Sequence, residues 1–377
     1  MKEGWEYKKL GEVCEITMGQ SPDSKSYNKD GRGLPFFQGC ADFGILNPNI
    51  STYCSEPKKV AEPLDILMSV RAPVGTLNIA NTKCCIGRGL ASFREIKNKS
   101  SYKFLYYLLK SSEKYFQDNS TGATFKAIGK ELVVNYKIKI PSIYKQIEIS
   151  SELDLLSGVI EKQKAQLEEL DKLAQSIFYD MFEKKDWESK KIKDIAIVKI
   201  GPFGSALHQH DYISGGTPLV NPIHMKNGKI EADSNFTISD EKKKELSSYL
   251  LKINDIVFGR RGDIGRCALV TQKENGFLCG TGSLFVRFTI NITPLYSLKI
   301  LSSSSVKQYL LGNARGATML NLNSTVIEGI SIPLPPLSLQ QEFAAKIEAI
   351  EAMKVKVRQS LKEAETLFNE RMNYYFN

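Results

Sequence analysis

The chain has 377 residues and a formal net charge of +9 at pH 7, with 42% hydrophobic and 25% charged residues. This length and ordinary composition favour two globular domains and exclude wholesale disorder. No apolar run reaches the roughly 18 residues that a transmembrane helix needs. Residues 1–6 lack an apolar signal segment, so we expect a cytoplasmic protein without a membrane partner. The moderate positive charge permits a nucleic-acid partner without requiring one.

The sequence repeats itself once at long range. Residues 5–13 match residues 187–195 at an offset of 182 positions, and residues 122–125 match residues 316–319 at an offset of 194. The drift requires about a dozen additional residues in the second copy. The charged run at residues 240–245 predicts an enlarged surface loop there. Similar segments in the same order indicate a duplication.

Each copy has signals of both helix and strand, which predicts an α+β domain rich in long loops. Solid or alternating apolar runs predict strands over residues 132–134, 136–140, 255–258 and 283–288. Helical periodicity predicts helices over residues 101–116 and 295–311. Glycine-dense segments predict loops over residues 30–44, 201–228 and 259–265.

A long helix is predicted at the end of each copy, with apolar positions spaced alternately by three and four residues. This spacing is typical of a coiled-coil seam, although two ordinary core helices remain an alternative. The spacing of Ser338 and Gln341, after a proline-rich breaker, predicts the start of the second helix. The predicted seam consists of Leu153, Leu156, Ile160, Leu167, Leu170, Ile177, Ile347, Ile350, Val357, Leu361 and Phe368.

The connectivity predicts an antiparallel pair of helices, because a compact domain keeps its ends close. The predicted fold is therefore two duplicated mixed α/β domains joined by two long antiparallel helices that form a coiled coil, with pseudo-two-fold symmetry. Each helix of about 34 residues would form a rod of roughly 50 Å. The predicted segments are a first domain at 1–142, a first helix at 143–184, a second domain at 185–337 and a second helix at 338–377.

The sequence lacks the usual catalytic and phosphate-binding motifs. The turn at 221–224 resembles the Asn-Pro-Pro-aromatic motif of amino-methyltransferases but lacks its second proline and its aromatic residue. His208 and His210 lack a third metal ligand at a familiar spacing. The glycine-flanked Arg88 and Thr281 occupy equivalent positions and predict tight turns. We therefore expect neither a catalytic nor a metal site, and no cofactor bound to this chain.

The predicted loops are rich in side chains that can donate hydrogen bonds to base edges or phosphates, although a solvated surface would have the same composition. Arg71 and Arg261, equivalent at an offset of 190, are the strongest individual candidates, and a structural ion pair with a nearby Asp would also explain them. The candidates for DNA contact are Gln20, Ser21, Lys25, Tyr27, Lys29, Arg32, Gln38, Arg71, Arg88, Lys126, Ser205, His208, Gln209, His210, Asn221, His224, Lys226, Arg260, Arg261 and Arg315.

Four groups of motifs together resemble the DNA-specificity subunit of type I restriction-modification systems. Residues 5–13, 201–205 and 255–262 resemble that family's target-recognition domains, and residues 332–337 followed by Gln341 resemble its junction between domain and helix. Residues 140–146 depart from this junction because they lack the second proline pair. The similarity covers essentially the whole chain.

The resemblance implies a non-enzymatic subunit in which each domain reads one half of a bipartite site in double-stranded DNA. The helices would set the spacer and dock two methyltransferase subunits, and restriction/translocase subunits would join this core. S-adenosylmethionine, ATP and Mg would belong to these partners. The loops of the two copies differ, so we expect two different half-sites. We also expect that joining Asn377 to Met1 and reopening the chain near Lys184 would leave a folded binder.

Three alternatives remain at this point. The chain could be a stand-alone scaffold that binds nucleic acid or protein without restriction-modification partners. It could be an enzyme with an unrecognised site. The heptads could also pair between two chains and form a homodimer.

Overall fold

The computed structural model describes residues 4–122, 126–183, 186–261, 264–313 and 322–377. The chain divides into two compact units, one of residues 1–165 with 358–377 and one of residues 166–357. Each unit combines one globular domain with part of each long helix. No helix in the described residues is long and apolar enough to cross a membrane.

The first half of the chain, to residue 183, contains short strands and helices followed by one long helix that extends from the first unit into the second. The strands are β1 (Glu6–Lys9), β2 (Cys14–Met18), β3 (Tyr27–Asn28), β4 (Leu34–Phe37), β5 (Tyr53–Cys54), β6 (Val60–Ala61), β7 (Ile66–Ser69), β8 (Leu77–Ile79), β9 (Cys84–Ile86), β10 (Leu90–Glu95) and β11 (Lys137–Ile140). The helices are α1 (Leu10–Val13), α2 (Tyr102–Ser111), α3 (Glu113–Asp118), α4 (Lys130–Val134) and α5 (Ile143–Phe178), which continues as a π-helical turn at Tyr179–Glu183.

The second unit has the corresponding elements. The strands are β12 (Ser189–Lys191), β13 (Ala196–Ile200), β14 (Tyr212–Ile213), β15 (Thr217–Val220), β16 (Met225–Lys226), β17 (Lys229–Ile230), β18 (Thr237–Ile238), β19 (Ile256–Gly259), β20 (Cys267–Leu269), β21 (Leu278–Cys279), β22 (Ser283–Phe288) and β23 (Ser331–Pro333). The helices are α6 (Ile192–Ile195), α7 (Asp240–Glu245), α8 (Pro294–Leu301), α9 (Ser304–Asn313), α10 (Ser324–Glu328) and α11 (Leu337–Phe376).

The two units share the order of their main sheets, which confirms the duplicated α+β fold, although β6 belongs only to the first unit and the pair β16-β17 only to the second. The order β2-β10-β7-β8 in the first unit corresponds to β13-β22-β19-β20 in the second, and the pair β1-β11 corresponds to β12-β23. A further sheet has the order β3-β5-β4-β9-β6 in the first unit and β14-β18-β15-β21 in the second. Within the described sheets each unit has one parallel pairing of strands. It joins β4 to β9 in the first unit and β15 to β21 in the second.

The central strand β7 is apolar at three successive positions because both faces of its sheet are covered. Ile66 and Met68 belong to the main core together with Phe104 of α2, whereas Leu67 points to the opposite face and packs in a smaller core with Phe37. The same alternation, with a period of two, occurs in β19 of the second unit.

The long helices are antiparallel within each unit. In the first unit, Glu152 of α5 contacts Arg371 and Gln163 contacts Ser360, at 2.8 and 2.6 Å. Residue numbers therefore increase along α5 while those of their partners decrease along α11, as in an antiparallel pair. In the second unit, Asp171 of α5 likewise contacts Lys354 at 2.6 Å, and the Phe178 ring lies 5.7 Å from the Phe343 ring.

Each long helix ends against a tryptophan that begins a domain. The ring of Phe376 at the end of α11 lies 5.4 Å from Phe104, which lies 6.4 Å from Trp5. In the second unit, the indole N–H of Trp187 donates to the Phe182 carbonyl at 3.2 Å. The end of each long helix therefore lies beside the start of a domain within its unit.

Several local predictions were wrong. Residues 132–134 form helix α4 instead of a strand, because Val133 is buried in the core next to α1. The predicted helix over 101–116 is two helices, interrupted where the Ser112 hydroxyl donates to the Leu108 carbonyl at 2.7 Å. The predicted helix over 295–311 is likewise two helices, α8 and α9. Residues 240–245 form the short helix α7 rather than a loop.

A buried glutamine fastens the start of each long helix to its domain. The Gln146 amide donates to the carbonyls of Lys99 and Pro141 and accepts from the Ser101 N–H, each at 3.0 Å. At the equivalent position, Gln340 donates to Pro335 and accepts from Thr293, each at 2.9 Å. The second helix begins at Leu337, one residue before the predicted start at Ser338.

Candidate nucleic-acid interface

In the first domain, the ends of two sheets meet at one edge. The backbone N–H of Gly19, directly after β2, donates to Leu90 at 2.8 Å, and that of Gln20 donates to Ile86 at 3.0 Å. The strand that precedes the predicted DNA-contacting loop is therefore bonded to both sides of the turn at residues 87–89. This edge positions the side chains that follow.

Ser21, Gln38 and Arg88 form one cluster at this edge. The Ser21 hydroxyl lies 3.0 Å from Nε2 and 3.1 Å from Oε1 of Gln38, and it accepts the backbone N–H of Arg88 at 3.3 Å. The side chains of Gln38 and Arg88 are exposed. Hydrogen bonds with Ser21 thus position the Gln38 amide and the backbone of Arg88, and both side chains lie at the surface.

Arg71 and Lys126 lie on segments that adjoin this cluster. The Val70 N–H donates to Gly89 at 2.9 Å, and the Ala72 N–H donates to the Lys126 carbonyl at 3.0 Å. The side chains of Arg71 and Lys126 are exposed, and within the described residues no carboxylate forms an ion pair with either. The structure therefore brings Gln20, Ser21, Gln38, Arg71, Arg88 and Lys126 to one edge of the first domain.

The remaining candidates of the first domain lie on the segment around β3. Tyr27 is half-buried, its ring stacks on Phe36 at 4.6 Å, and its hydroxyl donates to the Pro22 carbonyl at 3.0 Å. Burial raises the pKa of Tyr27, and the nearby Arg88 guanidinium opposes that shift. Arg32 pairs with Asp30 at 3.3 Å on the exposed surface. Lys25 and Lys29 are exposed.

The second domain has the same edge with different side chains. The Gly201 N–H donates to Ser283, and the Arg260 N–H donates to Gly282, each at 3.0 Å. Asn221 takes the place of Gln38, and its Oδ1 accepts the Gly282 N–H at 3.3 Å. Asn221 is half-buried, so its side chain is partly used to hold the turn.

His208, Gln209 and His210 form an exposed surface next to this edge. The two imidazole rings stack at 5.2 Å with an interplanar angle of 20°. The Asp211 carboxylate accepts the His208 backbone N–H at 2.7 Å, and this bond holds the pKa of Asp211 below its usual range. Such donors can contact base edges or phosphates.

Three candidates of the second domain have structural roles. His224 is buried against Phe236 and is therefore not available to a base, which corrects its place among the contact candidates. Arg260 is half-buried and its Nε donates to the Leu322 carbonyl at 3.2 Å. Lys226 forms an exposed ion pair with Glu231 at 2.5 Å. Arg261 is exposed, Arg315 lies outside the described residues, and of Ser205 only the backbone is described.

Neither Arg71 nor Arg261 pairs with the duplicated aspartate. The Asp65 carboxylate instead receives two bonds of 2.9 Å from Arg94, and Asp255 receives bonds of 2.8 and 2.6 Å from Arg287. Sequence reasoning missed these pairs. The signal was available, because Arg94 and Arg287 are equivalent at the offset of 193 that relates β10 to β22.

The described residues contain no group of three His, Cys, Asp or Glu side chains that could hold a metal ion. Burial raises the pKa of the thiols of Cys14, Cys84 and Cys267 to about 12. A thiol with so high a pKa remains protonated at neutral pH and is a poor nucleophile and metal ligand. These cysteines therefore serve as core residues.

The predicted seam residues lie on the inner faces of α5 and α11. The buried ones are Leu153, Ile160, Ile350 and Phe368, and the half-buried ones are Leu156, Leu167, Leu170, Ile177, Ile347, Val357 and Leu361. Their positions follow the 3,4 spacing of the sequence.

Comparison with known proteins agrees with the family resemblance that the sequence motifs indicate. The family model described as type I restriction modification DNA specificity domain matches residues 2–172 and 184–365. A Methanocaldococcus jannaschii relative, named for the MjaX type I restriction enzyme specificity subunit, is 42% identical over 177 residues, or 46% of this chain and 42% of that protein. The match thus spans less than half the length of that relative.

Two further matches extend over most of the chain. The MjaIX specificity subunit of a type I restriction enzyme, also from Methanocaldococcus jannaschii, is 24% identical over 380 residues, which cover 92% of this chain and 86% of that protein. The crystal structure of a type I restriction-modification system S subunit from M. genitalium has a TM-score of 0.62 at 15% identity, over 99% of this chain and 96% of that chain. The likeness to this structure shows a shared fold.

Proposed function

Because the chain belongs to the type I restriction modification DNA specificity domain family, we propose that it is the DNA-reading, non-catalytic subunit of such a complex. The domains at 1–142 and 185–337 each contact one half of a bipartite site in double-stranded DNA. The helical segments at 143–184 and 338–377 set the length of the unread spacer.

One observation carries this proposal. The two domains hold their exposed edges with equivalent backbone hydrogen bonds, from Gly19 to Leu90 in one and from Gly201 to Ser283 in the other. The side chains on these edges differ, as Gln38 and Arg88 are replaced by Asn221 and Thr281. A common frame with different hydrogen-bonding groups is the arrangement needed to read two different short sequences.

The outer faces of the long helices support docking of two methyltransferase subunits. Val159 and Leu173 of α5, and Met353 and Leu367 of α11, are exposed apolar side chains. They occupy equivalent positions, 194 residues apart. Apolar side chains at matching exposed positions suit two copies of one protein partner. Restriction/translocase subunits join this core through the methyltransferase subunits.

The reactions of the complex belong to the partners in this proposal. S-adenosylmethionine supplies the methyl group on the methyltransferase subunits, and ATP with Mg drives the restriction/translocase subunits. This chain contributes the choice of sequence. It acts where the DNA is, in the cytoplasm.

The test is co-expression of the full chain with its methyltransferase subunit in a host that lacks other methylation, followed by mapping of methylated adenines. We expect one bipartite, asymmetric motif with a fixed spacer. The methyltransferase subunit expressed alone is the control and should leave no such motif. Failure of the pair to methylate any common motif, while forming a stable complex, would contradict the proposal.

A second measurement separates DNA reading from a scaffold that binds only proteins. Retention of duplex DNA by the complex should fall as salt rises, because each phosphate contact releases counterions. A complex that retains no DNA at low salt would support the scaffold instead.

A further inference from the structure

The turn between β9 and β10 carries a single side chain, that of Arg88, between two glycines. The Leu90 N–H donates to the Gly87 carbonyl at 3.0 Å and closes the turn. The Gly87 N–H donates to Phe37 at 2.8 Å, and the Gly89 N–H donates to Gln38 at 3.2 Å. Both glycines of the turn are therefore bonded to the end of β4.

Glycine is required on both sides of Arg88 by a close approach of Gln38. A Cβ atom on Gly87 would lie 2.5 Å from Oε1 of Gln38, and one on Gly89 would lie 2.5 Å from the Gln38 carbonyl. The contact at Gly89 is with backbone and would shift the chain, whereas the contact at Gly87 would displace the Gln38 amide from its hydrogen bonds with Ser21. Arg88 is thus the one side chain that this turn can present, and it is exposed.

The second domain builds the same turn around Thr281. The Ser283 N–H donates to Gly280, and the Gly280 N–H donates to Val220, each at 3.0 Å. A Cβ atom on Gly280 would lie 2.2 Å from Oδ1 of Asn221. The equivalent amide therefore again lies where a side chain at position 280 would begin, and Pro222 lies 3.0 Å from a Cβ atom on Gly282.

The tips of the two turns have different surroundings. Arg88 lies near the phenol of Tyr27, and Thr281 lies near the phenol of the equivalent Tyr212. The frame is the same, but one tip carries a guanidinium with five donors and the other a half-buried hydroxyl. The DNA backbone is chemically the same at both half-sites, so a role in phosphate contact gives no reason for the two tips to differ. Base edges differ between the half-sites, so different side chains at the two tips are suited to contacting bases.

Building on the proposed function, we infer that these turns are base-reading elements and that Arg88 specifies a guanine in the half-site of the first domain. A guanidinium matches O6 and N7 of guanine in the major groove through two parallel hydrogen bonds. The fixed turn limits where the guanidinium can reach, which favours one base pair over its neighbours. Thr281 provides no such fork, so the second half-site has no guanine read from this position.

The test compares Arg88→Ala, Arg88→Lys and the matched control Thr281→Ala in the full chain, co-expressed with the methyltransferase subunit. In Arg88→Ala, methylation should extend to sites with any base at one position of the first half-site, with a loss of roughly 10- to 100-fold in discrimination. Arg88→Lys should relax the same position, because a lysine lacks the planar fork. Thr281→Ala should leave the first half-site unchanged.

The other outcomes would overturn the inference. An unchanged motif in Arg88→Ala would do so, as would relaxation in the second half-site. Lower methylation at every site with the motif intact, rescued by Arg88→Lys, would identify a phosphate contact. A wild-type protein with no motif at all would overturn the proposed function as well, so the two failures are distinguishable. Arg88 is exposed, and thermal melting of each variant should match that of the wild type.

Discussion

The two domains share their interiors and differ at their edges. Each has a buried aspartate that pairs with an arginine on the neighbouring strand of the sheet, Asp65 with Arg94 and Asp255 with Arg287. The exposed turn between these shared elements carries Arg88 in one domain and Thr281 in the other. After duplication, the requirements of packing have kept the interior similar, whereas the edge is under no such constraint. We propose that the shared pairs stabilise the fold and that the divergent tips determine the choice of DNA sequence.

The second domain also contains additions that the first lacks. Between β18 and the bridge at Leu250 it has six more residues than the first domain has between β5 and Val60, and helix α7 lies in this segment. His224 fills a buried position next to Phe236 and accepts the Asn221 N–H, whereas in the first domain the Asp42 carboxylate accepts the corresponding N–H of Gln38. The two domains should therefore differ in stability and in pH dependence as well as in DNA sequence.

The largest expected effect comes from removing the arginines of the buried pairs. Arg287→Met should destabilise the second domain by about 3–5 kcal/mol, because it leaves the Asp255 carboxylate buried without its charge partner. Arg94→Met should cost the first domain less, about 2–3 kcal/mol. The Arg94 side chain is 41% exposed and that of Arg287 only 25%, and Arg287 also donates to the Leu250 carbonyl.

Amide hydrogen exchange in the full chain checks this prediction domain by domain. Protection in β19 and β22 should fall in Arg287→Met, and protection in β7 and β10 should fall in Arg94→Met. Each domain serves as the control for the other. A greater loss in Arg94→Met would contradict the ranking by burial.

The glutamines at the helix starts provide a second comparison. Gln146→Ala should destabilise the junction by about 3 kcal/mol and Gln340→Ala by about 2 kcal/mol, because the first loses three buried hydrogen bonds and the second two. Exchange of the first turn of α5 or α11 would report the change. Equal exchange in both variants would show that the number of bonds does not set the strength of the junction.

The helix pair differs between the units at one buried position. Lys354 contacts Asp171 at 2.6 Å and Glu351 at 2.8 Å, whereas the equivalent position in α5 is Ile160. Burial lowers the pKa of Lys354, but the two carboxylates offset this and the net shift is upward. The pair therefore contributes stability below the ordinary lysine pKa of about 10.4 and loses it as the pH rises further.

Replacing Lys354 tests whether this pair stabilises the fold. Lys354→Met should change the free energy of unfolding by no more than about 1 kcal/mol at pH 7, because desolvation of a buried lysine offsets most of its attraction to carboxylates. Ile160→Met is the matched control in the first unit. A loss above about 2 kcal/mol in Lys354→Met would show that the ion pairs are strongly stabilising. Urea unfolding gives both values.

The smallest expected effect is acid sensitivity confined to the second domain. Burial lowers the pKa of His224, so the folded domain favours the neutral imidazole. This contribution is fully present above the unfolded pKa of about 6.5 and is lost as the pH falls towards the lower folded value. Exchange in the second domain should therefore rise between neutral and mildly acidic pH, relative to the first domain. His224→Gln should remove this difference; its persistence would point to other groups.

The repeats and the helix seam could be predicted from the sequence because both depend on spacing alone. Leu153 and Ile160, placed on the seam by their spacing, are buried. The prediction of secondary structure failed where tertiary contacts determine the backbone conformation. Val133 has a strong preference for strands, yet it lies in a helix because its side chain fills the core next to α1.

The candidate site was predictable in composition but not in geometry. The loops that hold Gln38 and Arg88 are far apart in sequence, and only the pairing of β4 with β9 brings them together. His224 resembled a loop donor because its burial depends on Phe236, twelve residues away. To predict that Asp65 pairs with Arg94 and not with Arg71, one must know the register of β7 against β10. No local sequence pattern contains this register.

The central claim is that the two duplicated domains share one fold and that each independently recognises one half of the bipartite DNA site. Its most direct test is a chain in which residues 185–337 are replaced by a second copy of residues 1–142, co-expressed with the methyltransferase subunit. Mapping of methylated adenines should reveal a motif made of two copies of the first half-site, separated by the original spacer. A folded chimera that still methylates the original asymmetric motif would contradict the claim.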